Sequence, residues 1–525
     1  MRVASVQQNA WDVRDYKKAW KEIMLLIDSA ASEPVDLIVL PECAYPAYYL
    51  GYDTGKTLEA MGYIDKVVED ISKRAKKYKV NIAVGLAVKS GDGLLNGGLF
   101  FNRDGEVLGT CSKSNLWHFD HKWFEYGTNF DVIDTDIGKV GLIVCADGRA
   151  PEISRILALK GAEIIIDMAN LTSSGNDASK LSNPQYDYML PTRALENGVW
   201  LVMADKVGLE ADSVLYAGRS CIISPEGKIV ASASSDKSEV IYADIDLGRE
   251  YKKLPERRPE EYQILVSLTE NLPIYKNMAS PVVLWDKEIL AASVQYEYKD
   301  VVQYINKARN FIKVLEDEDA ELILLPQLRR DMDFSGCSEK VLESIGSSKT
   351  IIALTGYRQV SGNEFKSTIV ASKDKTYGIY DKIHEDEEGL TGGTFKNSII
   401  KTPICTIGVM HDQEGVIPET ARCLMLGGAD VIMWSDNEGS TATELVARTR
   451  AAENKVYIIR SGSMKENDYS MIVNPDGRII SCTMSGVDQS TAALLVTALC
   501  NSKTVVPGTN LVLDRKPFLY EVLVR

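Results

Sequence analysis

Asp36-Leu37-Ile38-Val39-Leu40-Pro41-Glu42 is a short apolar run closed by proline and an acid, and Ala320-Glu321-Leu322-Ile323-Leu324-Leu325-Pro326-Gln327 repeats it far down the chain. An aliphatic run of this length, ended by a turn residue, reads as a strand buried on both faces. The echo is one of three in the same order. Ala4-Ser5-Val6-Gln7 returns as Ala292-Ser293-Val294-Gln295, and Arg193-Ala194-Leu195-Glu196-Asn197 as Arg450-Ala451-Ala452-Glu453-Asn454. Ordered echoes of this kind mark two diverged copies of one unit. Sequence rich in proline and charge separates them, from Leu254-Pro255-Glu256-Arg257-Arg258-Pro259 to Ser280-Pro281. We therefore expect a first domain over 1–268, a linker over 269–285 and a second domain over 286–525.

Each copy alternates apolar runs with helical patterns. Trp20, Ile23, Met24 and Ile27 share one helical face, and Ile305, Ala308, Ile312 and Leu315 do so at the matching place in the second copy. Strands are expected over 36–40, 80–87, 140–144, 164–166, 199–204 and 240–245, with helices over 150–160 and 189–196 between them. Alternation of this kind implies layered α/β domains whose sheets are covered by helices.

Composition narrows the function. The 525 residues are 45% hydrophobic and 25% charged, as in globular proteins with sizeable cores. Lys and Arg number 59 against 74 Asp and Glu, and a net charge of −15 argues against nucleic acid or an anionic membrane as partner. The start, Met1-Arg2-Val3-Ala4-Ser5-Val6, has no apolar run of signal-peptide length, and no later run is long enough to span a bilayer. Nine scattered cysteines form no disulfide framework and an odd number cannot all pair within one chain, so reduced thiols and a cytoplasmic location are expected.

Three residues at the ends of expected strands carry candidate chemistry in the first copy. They are Glu42 after Leu40-Pro41, Lys113 in Thr110-Cys111-Ser112-Lys113-Ser114, and Cys145 in Val140-Gly141-Leu142-Ile143-Val144-Cys145-Ala146-Asp147-Gly148-Arg149-Ala150-Pro151-Glu152. Side chains at strand ends can converge on one crevice. Cys145 also precedes an expected helix, where free N–H groups and the helix dipole favour a thiolate and can hold an oxyanion.

The order Glu, Lys, Cys with these flanking words resembles the catalytic triad of the nitrilase superfamily over nearly the whole first half. Lys113-Ser114-Asn115-Leu116-Trp117 with Phe124 and Gly127, the segment Cys145 to Glu152, Arg193 to Asn197, and Ser224-Pro225-Glu226-Gly227 all fit that family's segments. The resemblance implies two tandem four-layer α-β-β-α sandwiches. It implies Glu42 as general base, Cys145 as nucleophile and Lys113 as the cation facing the tetrahedral oxyanion, with the backbone N–H of Ala146 as a second oxyanion donor. Many members carry a second acid some seven residues beyond the lysine. Counting without a gap reaches Asp120, taken as auxiliary, with Glu125 competing and a solvated loop as the plain alternative.

His118 and His121 flank Asp120, so zinc has to be weighed. A hydrolytic site needs a third ligand and an open position, and no third ligand is evident, so neither metal nor cofactor is expected. The second copy lacks the triad. Gln327 stands for Glu42, and Val409-Met410-His411-Asp412 matches Val144-Cys145-Ala146-Asp147, which puts Met410 at the nucleophile position and leaves Lys382 alone. A thioether cannot attack a carbonyl after deprotonation and an amide is a poor base, so this half is expected to be inactive whatever His411 contributes.

The expected activity is hydrolysis of a nonpeptide C–N bond in a small amide through a thioester on Cys145, with release of ammonia. An N-carbamoyl compound or a nitrile is the alternative substrate for the same three residues, and a noncatalytic scaffold is the rival from another class. Members of the resembling family commonly pair two such units through helical faces. Two tandem copies are therefore expected to pair within the chain as a pseudo-dimer, with further self-association left open.

Overall fold

A computed structural model describes residues 1–91, 93–248, 255–279, 288–385, 389–439 and 442–525. By their contacts they form two compact units, Met1–Leu254 with Val506–Thr509, and Pro255–Val505 with Asn510–Arg525.

The first unit has strands β1 (Arg2–Asn9), β2 (Leu37–Val39), β3 (Asn81–Ser90), β4 (Gly93–Phe101), β5 (Val107–Ser112), β6 (Val132–Thr135), β7 (Gly138–Val144), β8 (Ile164–Met168), β9 (Trp200–Ala204), β10 (Lys206–Glu210), β11 (Val214–Ala217), β12 (Cys221–Ile223), β13 (Ile229–Ser232) and β14 (Glu239–Asp244). Its helices are α1 (Tyr16–Ala30), α2 (Thr54–Met61), α3 (Ile64–Tyr78), α4 (Pro151–Leu159) and α5 (Leu190–Asn197). One sheet runs β11-β10-β1-β2-β3-β4-β5 with β14 also on β1, and the other runs β13-β12-β9-β8-β7-β6.

The opening stretch explains the layering. Leu37 and Val39 point into a core shared with Val140, Leu142, Ile164 and Ile166 of the other sheet. Ile38 and Leu40 point the opposite way, onto Ile23, Ile27, Val67 and Ile71 of α1 and α3. Strand side chains alternate, so one apolar run builds both cores, and a polar residue anywhere in it would be stranded in one of them. On the far side α4 covers the second sheet, where a Cβ on Gly141 of β7 would meet Leu157 at 2.9 Å. Gly198, at φ +63°, stops α5 in the left-handed conformation that glycine adopts at least cost. The unit is thus an α-β-β-α sandwich.

The second unit repeats the plan. Its strands are β15 (Glu288–Gln295), β16 (Leu322–Leu324), β17 (Ile351–Val360), β18 (Asn363–Ser372), β19 (Thr376–Asp381), β20 (Ile399–Lys401), β21 (Thr406–His411), β22 (Val431–Ser435), β23 (Tyr457–Ser461), β24 (Met471–Val473), β25 (Ile479–Cys482) and β26 (Gln489–Val496). They form sheets β19-β18-β17-β16-β15-β26 and β20-β21-β22-β23-β24-β25. Helices are α6 (Pro273–Met278), α7 (Val301–Asp317), α8 (Phe334–Leu342), α9 (Pro418–Leu426) and α10 (Thr443–Asn454). Leu322 and Leu324 join the core between the sheets, while Ile323 and Leu325 join the core under α7 and α8. Ile305, Ala308, Ile312 and Leu315 line that second core, and Asp300 caps α7 by accepting from the Gln303 N–H at 2.8 Å.

Of the expected linker, residues 280–285 lie outside the described residues. The stretch before it is tied down within the second unit. Tyr262 Oη meets His384 Nε2 at 2.7 Å, the Phe395 N–H donates to Glu261 at 2.9 Å, and Arg257 pairs with the buried Glu419 at 2.8 Å. Among the described residues no helix is long and apolar enough to cross a membrane.

Candidate active site

Glu42, Lys113 and Cys145 belong to three separate stretches that end at one edge of the first unit's sandwich. Glu42 follows β2, and its backbone runs so close to β3 that a Cβ on Gly85 would come within 2.5 Å of the Glu42 Cα. Lys113 follows β5, where its N–H donates to Asn96 O at 2.8 Å and its carbonyl accepts from the Gly127 N–H at 2.7 Å. Cys145 follows β7 and opens the short helical turn Cys145–Arg149. Its φ of +49° is a left-handed conformation rare for a residue with a Cβ, the kind of local strain that persists only where the surroundings enforce it.

Those surroundings are specific. The Cys145 N–H donates to Asp167 Oδ1 at 2.8 Å, and its carbonyl accepts from Gln185 Nε2 at 2.9 Å. Asp147 accepts from the N–H groups of Ser114 and Asn115 at 3.1 and 2.8 Å, joining the cysteine turn to the lysine loop. Arg193 of α5 donates to the carbonyls of Gly148 and Arg149, both at 3.1 Å, and pairs with Glu196 at 2.6 Å. The repeated Arg193-to-Asn197 word is therefore a brace for the cysteine turn.

At the centre Lys113 Nζ lies 2.8 Å from Glu42 Oε1 and 2.8 Å from Asp120 Oδ2, with all three side chains fully buried. Asn96 Nδ2 donates to the same Glu42 oxygen at 2.5 Å, and the ammonium sits 5.4 Å from the centre of the Tyr48 ring. Glu125 is exposed, with its N–H on Leu94 O, so Asp120 is the acid that reaches the lysine. Burial pushes the Glu42 carboxyl above the usual range, with Asp120 adding to the rise while Lys113 and Asn96 pull it back. Glu42 Oε2 is buried without a hydrogen-bond partner among the described residues.

Cys145 Sγ is 3.7 Å from Asn170 O. Burial and the neighbouring Glu42 push the thiol well above its ordinary value, and Lys113 offsets only part of that. Burial thus opposes the thiolate that the position before a helix was expected to favour. Ala146 lies in the first turn of the short helix, where N–H groups have no intrahelical acceptor. His118 and His121 point to backbone, Nδ1 of the first to Pro507 O at 3.1 Å and Nε2 of the second to Gly508 O at 2.6 Å.

Two contributors were not foreseen from sequence. Asn96 sits mid-strand in β4 with no distinguishing neighbours. Arg149 lies 4.9 Å from the centre of the Trp117 ring, and burial lowers its pKa while Cys145 lies within electrostatic reach.

The second unit corrects the register of the repeat. Arg450 donates to the carbonyls of Gly415 and Val416 as Arg193 does to those of Gly148 and Arg149. Glu414 accepts from the N–H groups of Ile383 and His384, next to Lys382, as Asp147 does from the two residues after Lys113. Asp412, at φ +42°, opens the short helical turn and therefore stands where Cys145 does. Met410 lies two residues earlier, fully buried in β21 opposite Trp434. Asp412 is clamped by Lys366 and by Lys382 at 3.3 Å, and the two cations hold its carboxyl below the usual range against the opposing effect of burial. Gln327 Nε2 donates to Tyr357 Oη at 3.2 Å.

A buried lysine shared by two carboxylates beside a braced cysteine, in an α-β-β-α sandwich, defines a class of hydrolase. The model of the carbon-nitrogen hydrolase family matches residues 2–252 and 342–504. The chain belongs to that family, with one family-like unit in each half, and is an enzyme that hydrolyses carbon–nitrogen bonds. A nitrilase of Pyrococcus abyssi is 34% identical over 260 residues, covering 47% of this chain and 90% of the relative. A probable nitrilase of Schizosaccharomyces pombe is 29% identical over 242 residues, covering 44% and 86%. An omega-amidase of Danio rerio is 28% identical over 231 residues, covering 42% and 80%.

Proposed function

We propose that the first unit hydrolyses a small amide through a thioester on Cys145 and releases ammonia. Glu42 Oε2 takes the thiol proton as sulfur attacks the carbonyl carbon. The oxyanion forms between Lys113 Nζ and the Ala146 N–H. Collapse breaks the C–N bond, and the proton held by Glu42 leaves with the nitrogen as ammonia. Glu42 then deprotonates a water that attacks the thioester, and the second collapse returns the proton to sulfur and frees the carboxylic acid. Asp120 positions Lys113 and shares its charge. No step calls for a metal or cofactor.

The observation that carries this reading is the buried Lys113 ammonium 2.8 Å from each of two carboxylates, with Cys145 nearby. The raised carboxyl of Glu42 suits it to taking the thiol proton. N-carbamoyl compounds and nitriles pass through related adducts. Relatives called a nitrilase and an omega-amidase support keeping a nitrile or an N-carbamoyl compound as the alternative to the amide.

The second unit, with Asp412 and Gln327 in place of thiol and base, is read as noncatalytic. Tethering the two units favours their pairing within the chain, at an effective concentration on the order of millimolar. The test is ammonia release from a panel of primary amides, N-carbamoyl amino acids and nitriles by wild type and Cys145→Ala, with mass spectrometry of trapped acyl-enzyme. Wild-type turnover by Cys145→Ala would overturn the mechanism.

A further inference from the structure

Four backbone and side-chain bonds near Asp120 come from residues almost four hundred positions later, and the proposed mechanism does not use them. Val506–Thr509 belongs to the first unit by its contacts. Thr509 Oγ1 is buried against the lysine loop, accepting from the His118 N–H at 2.9 Å and donating to Leu116 O at 3.3 Å. Pro507 O accepts from His118 Nδ1 at 3.1 Å, and Gly508 O from His121 Nε2 at 2.6 Å. All four bonds fall on residues 116–121, on both sides of Asp120.

That stretch needs an external tie. Residues His118–Lys122 form a single five-residue helical turn, too short to hold itself in water. His118 has a φ of +50°, a left-handed conformation that costs free energy without glycine, and both its N–H groups are spent on the later segment. Gly508, at φ +83°, passes so close that a Cβ there would meet His118 O at 3.0 Å. Asp120 is held in this turn by its own bond to the Trp117 N–H at 2.9 Å, and it reaches Lys113 from there.

We propose that Val506–Thr509 is a positioning strap for the active site, fixing the Asp120 turn so that Lys113 is shared between Asp120 and Glu42. The inference rests on the reading of Lys113, Glu42 and Cys145 given above. With the strap loosened, Asp120 leaves the lysine, and Lys113 pairs with Glu42 alone. Glu42 is then a weaker base toward the thiol, and displacements of about 1 Å among such groups cost on the order of a hundredfold in rate.

The test uses the full chain and iodoacetamide, with alkylation of Cys145 followed by peptide mass spectrometry at pH 7. Thr509→Val removes both hydroxyl bonds while keeping the shape, and Thr509→Ser restores the hydroxyl. His121→Leu against His121→Gln repeats the comparison at an exposed side chain that folding tolerates. Thr509→Val and His121→Leu are expected to slow Cys145 alkylation at least threefold, with Thr509→Ser and His121→Gln close to wild type and all four melting within a few degrees of it. Wild-type alkylation by both Thr509→Val and His121→Leu overturns the strap while leaving the mechanism standing. A wild-type Cys145 that reacts no faster than Cys43 or Cys221 overturns the site assignment and the strap with it.

Discussion

Replacing Lys113 with methionine keeps an unbranched side chain, one heavy atom shorter, and deletes the ammonium. In the folded protein the ammonium stands 2.8 Å from Glu42 and 2.8 Å from Asp120, with none of the three exposed. Deleting it leaves two buried carboxylates with no cation between them, held by neutral donors such as Asn96 Nδ2 and the Trp117 N–H. Breaking a buried ion pair in this way costs about 3–5 kcal/mol, because a charge stays desolvated with no partner. Here two acids lose the same partner, so the upper end applies and one of them must take up a proton. For a unit of this size 1 kcal/mol moves the melting temperature by about 2–4 °C, so a fall of about 10–20 °C is expected. Differential scanning calorimetry at pH 8 and pH 5 measures it. The loss should shrink at pH 5, where the stranded acid is protonated at less cost, and Lys113→Met with Glu42→Gln should recover more than half. A fall of less than about 2 °C at pH 8 would mean that water reaches the cluster and that its geometry does not govern the chemistry.

Glu42→Gln removes the proposed base and one of two acids sharing a cation, so turnover should drop by about 10²–10⁴-fold with the melting temperature unchanged or raised; activity within a few-fold of wild type would point to another base. Gln327→Glu with Asp412→Cys places base and thiol at the corrected positions in the second unit, yet it should release no ammonia in a Cys145→Ala background because Lys366 and Lys382 are set to clamp an acid; measurable ammonia refutes this. Burial lowers His411 from 6.5 to about 4, so only the unfolded chain takes up its proton between those values and stability falls as pH drops through that window. Glu414 is brought down from 4.5 to about 2 by His384 and its other partners against the effect of burial, so its stabilisation, full above 4.5, is lost on acidifying toward 2. The protection of β21 to β23 amides, taken relative to their intrinsic exchange at each pH, should therefore fall below pH 6.5, and His411→Gln should abolish the part between 6.5 and 4; unchanged protection between pH 7 and pH 5 in wild type would refute the assignment.

What the sequence disclosed and what it hid follow from the kind of signal each residue carries. Leu37 to Leu40 could be read as a strand buried on both faces because alternation and burial are local properties. The order Glu42, Lys113, Cys145 could be read because its flanking words resemble those of the nitrilase superfamily; that each follows a strand added only that the three could converge. The equivalent of Cys145 in the second copy was misread because the aspartate of Val409-Met410-His411-Asp412 invites alignment with Asp147. The role of Asp147, accepting N–H groups after the lysine, is instead taken by Glu414, one methylene longer and two residues on. Nothing local distinguishes a cap acid from a displaced nucleophile. The strap at Thr509 was hidden for a related reason: its partners are His118 and Leu116, and a single hydroxyl carries no periodicity.

On the proposed mechanism, Asp412 seated between two lysines gives the enzyme an unusual stoichiometry. A covalent reagent that titrates its nucleophile should be consumed at one equivalent per chain, although each chain carries two folds of the same kind. An acylation burst of one per chain, rather than two, would thus be the signature of a fully active preparation and not of a half-dead one.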